Sequence, residues 1–220
     1  MPPPSRRPST APRARIAGLD GLRAVYGDAG IGIASHADLK AADVVVVIGA
    51  DPSQKKQTMQ EADVMIRRRA QAGAKVIVVS TEKTDLAHHA NAILLQLKAG
   101  TDTTLLAGLM SAALAEGAAP AAKGLDALKK SLIAIDAAAS ASGVAAEQIM
   151  LAAKAYAAAK NPVVVIGTGI SASEEASLQA LNLALVKNAG VFPLLPEANA
   201  LGVMQMGCLP DLGPGSAKIK

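Results

Sequence analysis

The sequence predicts an α/β fold built on a parallel sheet, with Rossmann-like layers in two α/β halves joined by crossover helices. The first observation is a set of short β-branched runs that are apolar throughout, which is typical of strands buried on both faces of a parallel sheet. The second is their alternation with helical patterns. The third is a repeated theme, "ADVVVVIGADPS" at 42–53 and "NPVVVIGTGISAS" at 161–173, in which a buried run ends in Gly and small polar residues.

Each element follows from a local pattern. The apolar runs predict strands within 42–53, 74–81, 92–97, 161–173 and 190–195. The intervening patterns predict helices over 36–41, 56–72, 102–116, 122–140, 145–160 and 174–188. Ser35 is a candidate N-cap for the first helix, and Gly73 is a candidate C-cap for the second, which ends in a basic turn.

The sequence predicts three segments. Residues 1–19 contain four arginines, five prolines and no acid, and we expect a disordered basic tail there. Residues 20–117 form the predicted first α/β half, and 118–220 form the second, with an extended loop segment at its end. The boundary is expected near 117–123.

Charge and composition exclude several function classes. The chain has 22 basic and 18 acidic residues, but the four arginines of 1–19 account for the excess, so the rest is neutral and offers no nucleic-acid footprint. No apolar run is long enough for a membrane-spanning helix, and we expect no direct membrane insertion. Cys208 is the only cysteine, so the sequence provides no thiolate set for a metal or an iron–sulfur cluster. A reducing, intracellular setting follows.

Four loops are expected at the carboxyl edge of the sheet, where open α/β sheets bind ligands. They are residues 49–52, 80–82, 100–102 and 167–169. Glycine in these loops allows a ligand to approach the backbone, and the helix starts that follow favour phosphate. The segment "GTGISA" also matches a dinucleotide fingerprint, but the acidic residue that should follow about 20 residues later is missing, so we disfavour nicotinamide binding.

The Gly100-Thr101-Asp102 junction between strand and helix has two interpretations. Thr101 or Asp102 is predicted to cap a helix that starts near Thr103, which would satisfy a free N–H of the first turn. Asp102 is also suited to the donor edge of a nucleobase such as guanine. We rank the capping role first, because Asp51 and Glu82 would add negative charge at the same edge.

Four segments in order carry a family resemblance. They are "SHADLKAADVVVVIGADPS", "RRRAQAGAKVIVVSTEKTDLAHHANAILLQLKAGTDTTLLAGLM", "ASGVAAEQIMLAAKAYAAAKNPVVVIGTGIS" and "LNLALVKNAGVFPLLPEANALGVMQMGCLPDLGPG". Over about 20–215 the chain resembles the molybdopterin oxidoreductase superfamily. It looks most similar to the large iron–sulfur subunit of complex I (NADH:quinone oxidoreductase) and to formate dehydrogenase alpha chains.

The resemblance implies a site for a molybdopterin guanine dinucleotide. The segment matching "IGADP" would lie against its phosphates, and the segment matching "AGTD" would lie at its guanine end. The residues that carry over are Gly49, Asp51, Pro52, Gly100, Thr101 and Asp102.

Departures from the family pattern indicate that this site is vestigial or weak. Asp51 stands where Asn is usual, Ser80-Thr81-Glu82 replaces Asp-Pro-Arg, and Ala99 replaces Pro. The iron–sulfur region, the segment with the molybdenum ligand and the domain that completes the cofactor cleft have no counterpart here. We therefore expect no cofactor, no metal and no catalysis in this chain alone.

The resemblance implies a structural module of the large iron–sulfur subunit of a complex I-like enzyme, packed beside iron–sulfur and flavin subunits in the peripheral arm. We expect it in the cytoplasm at the inner face of the membrane, with the mitochondrial matrix less favoured. The first alternative is the cofactor-binding portion of a formate dehydrogenase-like enzyme. The second is the central domain of a thiamine-diphosphate enzyme, which uses strand–Gly segments such as "AKNPVVVIGTGIS".

Overall fold

A computed structural model describes residues 32–53, 57–118, 128–170 and 174–194 of the chain. The strands are β1 Val44–Ile48, β2 Lys75–Ser80, β3 Ala92–Gln96, β4 Pro162–Gly167 and β5 Gly190–Leu194. The helices are α1 His36–Ala41, α2 Gln57–Gln71, α3 Asp102–Ala115, α4 Ile135–Ser142, α5 Ala146–Ala158 and α6 Glu174–Lys187. Two short 3-10 helices cover Asp85–His88 and Thr168–Ile170. All five predicted strands are confirmed.

The five strands form one parallel sheet in the order β3-β2-β1-β4-β5. Strands from both predicted halves meet in it, because β1 pairs with β4 in a register that places Val44 opposite Pro162. The strand order therefore reverses between β1 and β4. Ile33 pairs with Val191 at the outer edge of β5, and Ala34 N–H donates to the Val191 carbonyl at 2.7 Å. The α/β class predicted from the sequence is confirmed.

The two faces of the sheet are covered to different depths. On one face Val46 and Ile48 pack beneath α3, which is itself enclosed by α4, α5 and α6. Most of α3 is buried, as expected of a helix that is apolar on all sides. On the other face the described residues that pack against Val45 and Val47 come mainly from a single layer formed by α1, α2 and the 3-10 helix Asp85–His88. In the described part of the chain, the outer face of α2 is exposed at Val64.

Close helix packing explains one glycine inside α3. A Cβ built on Gly108 would lie 2.3 Å from the Cβ of Ala138 on α4. Glycine costs helix stability, but here it lets the two helices approach at a distance that no other residue allows.

Both predicted caps of the first two helices are confirmed. Ser35 and Asp38 form a reciprocal capping box at the start of α1, in which each side chain bonds the other residue's backbone N–H. Gly73 follows α2 with φ +100°, and the Ala74 N–H reaches back to the Arg69 carbonyl at 2.9 Å. The left-handed glycine thus ends the helix and satisfies one of its last carbonyls.

The predicted helix over 122–140 is wrong at 130–134, whereas 128–129 and 135–140 are helical as predicted. Residues 132–134 lie outside any helix, and α4 begins at Ile135 and runs on to Ser142. Leu132 and Ile133 are half-buried against the core, so tertiary packing overrides the helix propensity of this Ala-rich stretch. Gly143, with φ +78°, ends α4 and separates it from α5. Residues 119–127 lie outside the described residues, so the predicted boundary near 117–123 stays a prediction.

Candidate functional site

A cavity of about 320 Å³ lies at the carboxyl ends of β1, β2, β3 and β4. The residues that line it are Gly49, Ala50, Asp51, Val79, Ser80, Thr81, Glu82, Lys83, Thr84, Ala99, Gly100, Asp102, Gly169 and Ile170. Four of the six residues named from the sequence are among them. Pro52 is buried beside the cavity, and Thr101 lies behind it in the turn, so neither lines it.

Asp51 shapes its own loop. One of its carboxylate oxygens accepts hydrogen bonds from the backbone N–H of Ser53, at 3.1 Å, and from the Ser53 hydroxyl. This is the turn that Asp and Asn make with the backbone two residues further along the chain. Asp51 therefore has a structural role that is independent of any ligand, although its charge still faces the cavity.

The loops after β1 and β4 close against each other. The N–H of Gly169 donates to the carbonyl of Gly49 at 2.8 Å. Gly49 has φ +58°, and a Cβ built on it would lie 2.8 Å from atoms of Ile170. A Cβ on Gly167 would lie 2.4 Å from that of Ala50.

This contact lies where the strand order reverses, which is where open α/β sheets usually receive a ligand. The glycines of "GTGISA" at 167 and 169 are thus explained by the approach of two loops rather than by a phosphate. Residues 171–173 of that segment lie outside the described residues.

The side-chain cap predicted at the Gly-Thr-Asp junction is wrong. The helix α3 starts at Asp102, the first residue of the predicted helix over 102–116, and Thr101 occupies the N-cap position but makes no side-chain cap bond. The Thr101 hydroxyl instead donates to the Lys98 carbonyl at 2.6 Å, and the Thr101 N–H reaches the same oxygen at 3.2 Å. Gly100, with φ +82°, makes this tight turn possible.

Asp102 is consequently not used as a cap. Its half-buried side chain lines the cavity at the first turn of α3, where a negative charge is favoured by the helix dipole.

Thr84 is the site residue that sequence reasoning missed. Only 5% of it is exposed, it lines the cavity, and its hydroxyl has no hydrogen-bond partner among the described residues. It precedes the 3-10 helix Asp85–His88 without capping it. Buried hydroxyls are rarely left unpaired, because the desolvation cost is then uncompensated. In the sequence, the only local indication of this site was that a Thr precedes "DLAH", and a Thr in that position predicts an ordinary helix N-cap.

The cavity is negatively charged. Its described lining contains three carboxylates and one cation. The carboxylates belong to Asp51, Glu82 and Asp102, and the cation is Lys83. At this edge a pyrophosphate would meet net repulsion, and the described lining contains no arginine to clamp it. In charge, these residues do not fit a phosphate-rich cofactor.

Arg67, which does not line the cavity, has structural partners. Arg67 donates through Nε to both carboxylate oxygens of Asp63, and its Nη1 lies 3.4 Å from Nε2 of His89. Among the described residues no group of three His, Cys, Asp or Glu side chains is placed to hold a metal ion. Cys208 lies outside the described residues.

Comparison with known proteins identifies the family of this chain. The profile for molybdopterin oxidoreductases matches residues 20–192. The chain belongs to the molybdopterin oxidoreductase family. A single parallel sheet does not by itself separate this family from the central domain of thiamine-diphosphate enzymes, but the family match does, and it removes that alternative.

A solved structure supports the fold. Acetylene hydratase from Pelobacter acetylenicus superposes with a TM-score of 0.59 at 18% sequence identity, over 79% of this chain. The chain spans 28% of the length of that protein. At this identity the likeness shows the fold alone. A search of curated protein sequences finds no significant match.

Proposed function

We propose that this molybdopterin oxidoreductase-family chain is a non-catalytic structural module of a complex I-like NADH:quinone oxidoreductase, corresponding to part of its large iron–sulfur subunit. Its role is to support electron transfer in the peripheral arm by packing beside subunits that carry iron–sulfur clusters and flavin. The observation that carries the proposal is the charge of the cavity, where Asp51, Glu82 and Asp102 face one lysine. Such a cavity opposes the phosphates of a molybdopterin guanine dinucleotide and fits a family fold with a degenerate pocket.

The contact between the β1 and β4 loops supports the same proposal. The Gly49–Gly169 hydrogen bond joins the two loops at the reversal of strand order, where open α/β sheets usually receive a ligand. The proposal includes a location in the cytoplasm, at the inner face of the membrane through the complex, with the mitochondrial matrix less favoured. Within the described ranges, no helix is long and apolar enough to span a bilayer.

The test uses the complex purified from its native source through a tag on this chain. Mass spectrometry is expected to identify NADH-oxidising flavoprotein and iron–sulfur subunits in the purified complex. Elemental analysis is expected to find no molybdenum bound to this chain. Formate or NADH oxidation by the chain alone would refute a non-catalytic role. Recovery without any respiratory subunit would refute the complex I assignment.

A second candidate function is the cofactor-binding portion of a formate dehydrogenase-like oxidoreductase. Two observations favour it: the Asp102 carboxylate does not cap α3 and lines the cavity, and the buried Thr84 hydroxyl in the same lining has no partner within the described ranges. Both groups are available to hydrogen-bond a ligand. Release of a pterin fluorophore from the purified complex, lost in an Asp102→Ala variant that still assembles, would select this function over the structural one.

A further inference from the structure

A groove lies on the outer face of α2, on the side of the sheet opposite to the thick helical layer. We call it the basic groove. It has a volume of about 610 Å³ and is lined by Lys40, Gln60, Glu61, Val64, Met65, Arg68 and Arg69. It is separate from the cavity at the carboxyl edge, with which it shares no lining residue.

Cations dominate the basic groove. Lys40 and Arg68 are exposed, and within the described part of the chain neither forms an ion pair. Arg69 is held in place because its Nε–H donates to the Ala42 carbonyl at 2.8 Å. The only acid in the lining, Glu61, lies 3.8 Å from the ring of His36 on α1. Three cations against one carboxylate leave a net positive surface.

The floor of the groove is apolar. Val64 is 45% exposed, one of three large hydrophobic residues so exposed in the described ranges, and Met65 lies beside it almost buried. The other two, Leu151 and Leu178, are on helices of the opposite layer. A flexible methionine can adapt its shape to a partner side chain. An apolar strip bordered by long cationic side chains is the complement of an amphipathic helix with acidic flanks.

We infer that the basic groove binds an acidic amphipathic helix of a partner protein. Along α2 the groove runs from Gln60 to Arg69, about 13 Å at the rise of an α-helix, so an occupant of two to three turns covers it. The tail at 1–19 is excluded as occupant, because its four arginines and lack of acid would be repelled. Nucleic acid is disfavoured by the apolar floor of the groove. This inference does not depend on the proposed function.

The test is fluorescence anisotropy with the full chain and a labelled peptide of about twelve residues, in which Leu recurs at helical spacing between Glu residues. The matched variants are Arg68→Glu and Val64→Ser in the groove, with Lys154→Glu and Leu151→Ser on α5 as controls. Lys154 and Leu151 are likewise exposed, but they lie on the opposite layer. Circular dichroism melts verify that each variant is folded.

We expect saturable binding that weakens about tenfold in Arg68→Glu and severalfold in Val64→Ser, remains unchanged in both controls, and falls as salt increases. The same peptide with Lys in place of Glu should not bind. The inference is overturned if the Glu peptide does not bind, if groove and control variants weaken binding equally, or if the Lys peptide binds as well. Displacement of the peptide by inorganic pyrophosphate would also overturn it, by identifying a site for small anions.

Discussion

The hydroxyl of Tyr156, in the last turn of α5, donates a 2.7 Å hydrogen bond to the backbone carbonyl of Leu183 on α6. Tyr156 is completely buried, and this bond joins two residues that are 27 positions apart along the chain. A buried tyrosine hydroxyl needs such a partner, because an unpaired one would carry the full cost of desolvation.

Replacing Tyr156 by Phe should therefore lower the free energy of unfolding by about 1 kcal/mol at neutral pH. The ring still fills its site, so the loss reflects the hydrogen bond and the polar group left behind. Urea unfolding followed by circular dichroism measures it. Tyr26→Phe, the same substitution at the chain's only other tyrosine, is measured alongside it. Equal stability of the parent and Tyr156→Phe would show that the bond contributes nothing net.

Tyr156 also predicts a loss of stability at high pH. Burial raises the pKa of its hydroxyl far above the ordinary value of 10.0, so the folded state keeps the proton that the unfolded state loses. The unfolded state then binds fewer protons, and stability falls above pH 10 by about 1.4 kcal/mol per pH unit for this group. Tyr156→Phe lacks this term. The stability difference between parent and variant should therefore shrink or reverse between about pH 10 and 11, and a constant difference would contradict the buried neutral hydroxyl.

Gly49→Ala should destabilise the protein by about 2–3 kcal/mol, because the new Cβ meets Ile170 and the residue is held at positive φ. Gly100→Ala is the control at the same edge of the sheet. Its φ is also positive, but no atom lies within 4 Å of a Cβ built there, so only the backbone term of about 1 kcal/mol applies. Thermal melts compare the two. Equal losses would show that the β1 and β4 loops do not pack as closely as described.

Asp102→Asn and Asp102→Ala should behave alike, because the carboxylate does not cap α3. Each variant loses only the interaction with the helix dipole, about 0.3–1 kcal/mol, and the loss should decrease in high salt. Thr101→Val, which removes the hydroxyl bond to Lys98, should cost about 1 kcal/mol. Thermal melts of the parent and the three variants, recorded with and without guanosine nucleotides, measure these losses. Early melting of the Ala variant alone would restore the capping role.

Ser35→Ala should raise the pKa of Asp38 only part of the way to its ordinary value of 3.8. That pKa is lowered first by the hydrogen bond from the Ser35 backbone N–H, which the variant retains, and second by the Ser35 hydroxyl, which it loses. The stabilising contribution of Asp38 is present above pH 3.8 and disappears as pH falls through the lower folded value. An NMR titration of the Asp38 carboxyl measures the change. A full return to the ordinary value would show that the backbone bond depends on the hydroxyl.

The sequence determined the strands of this fold because their signal is local. Runs such as Val44–Ile48 are β-branched throughout, and a run buried on both faces requires a parallel sheet with helices on either side. Glycine C-caps and the Ser35 cap could be predicted for the same reason, since each depends on a few adjacent residues. The grouping of the loops at the carboxyl edge followed from the architecture alone, and it correctly placed Gly49, Asp51, Gly100 and Asp102 around one cavity.

The tertiary structure alone decided how those residues are used. Thr101 could bond forward to the helix or back to the Lys98 carbonyl, and both choices are compatible with the same short sequence. The contact between Gly49 and Gly169 and the burial of Thr84 depend on elements that are distant in sequence. Likewise, the break before α4 arises because Leu132 and Ile133 gain more from burial in the core than from continuing a helix. Local patterns fix backbone preferences, whereas long-range packing determines which polar groups remain available for function.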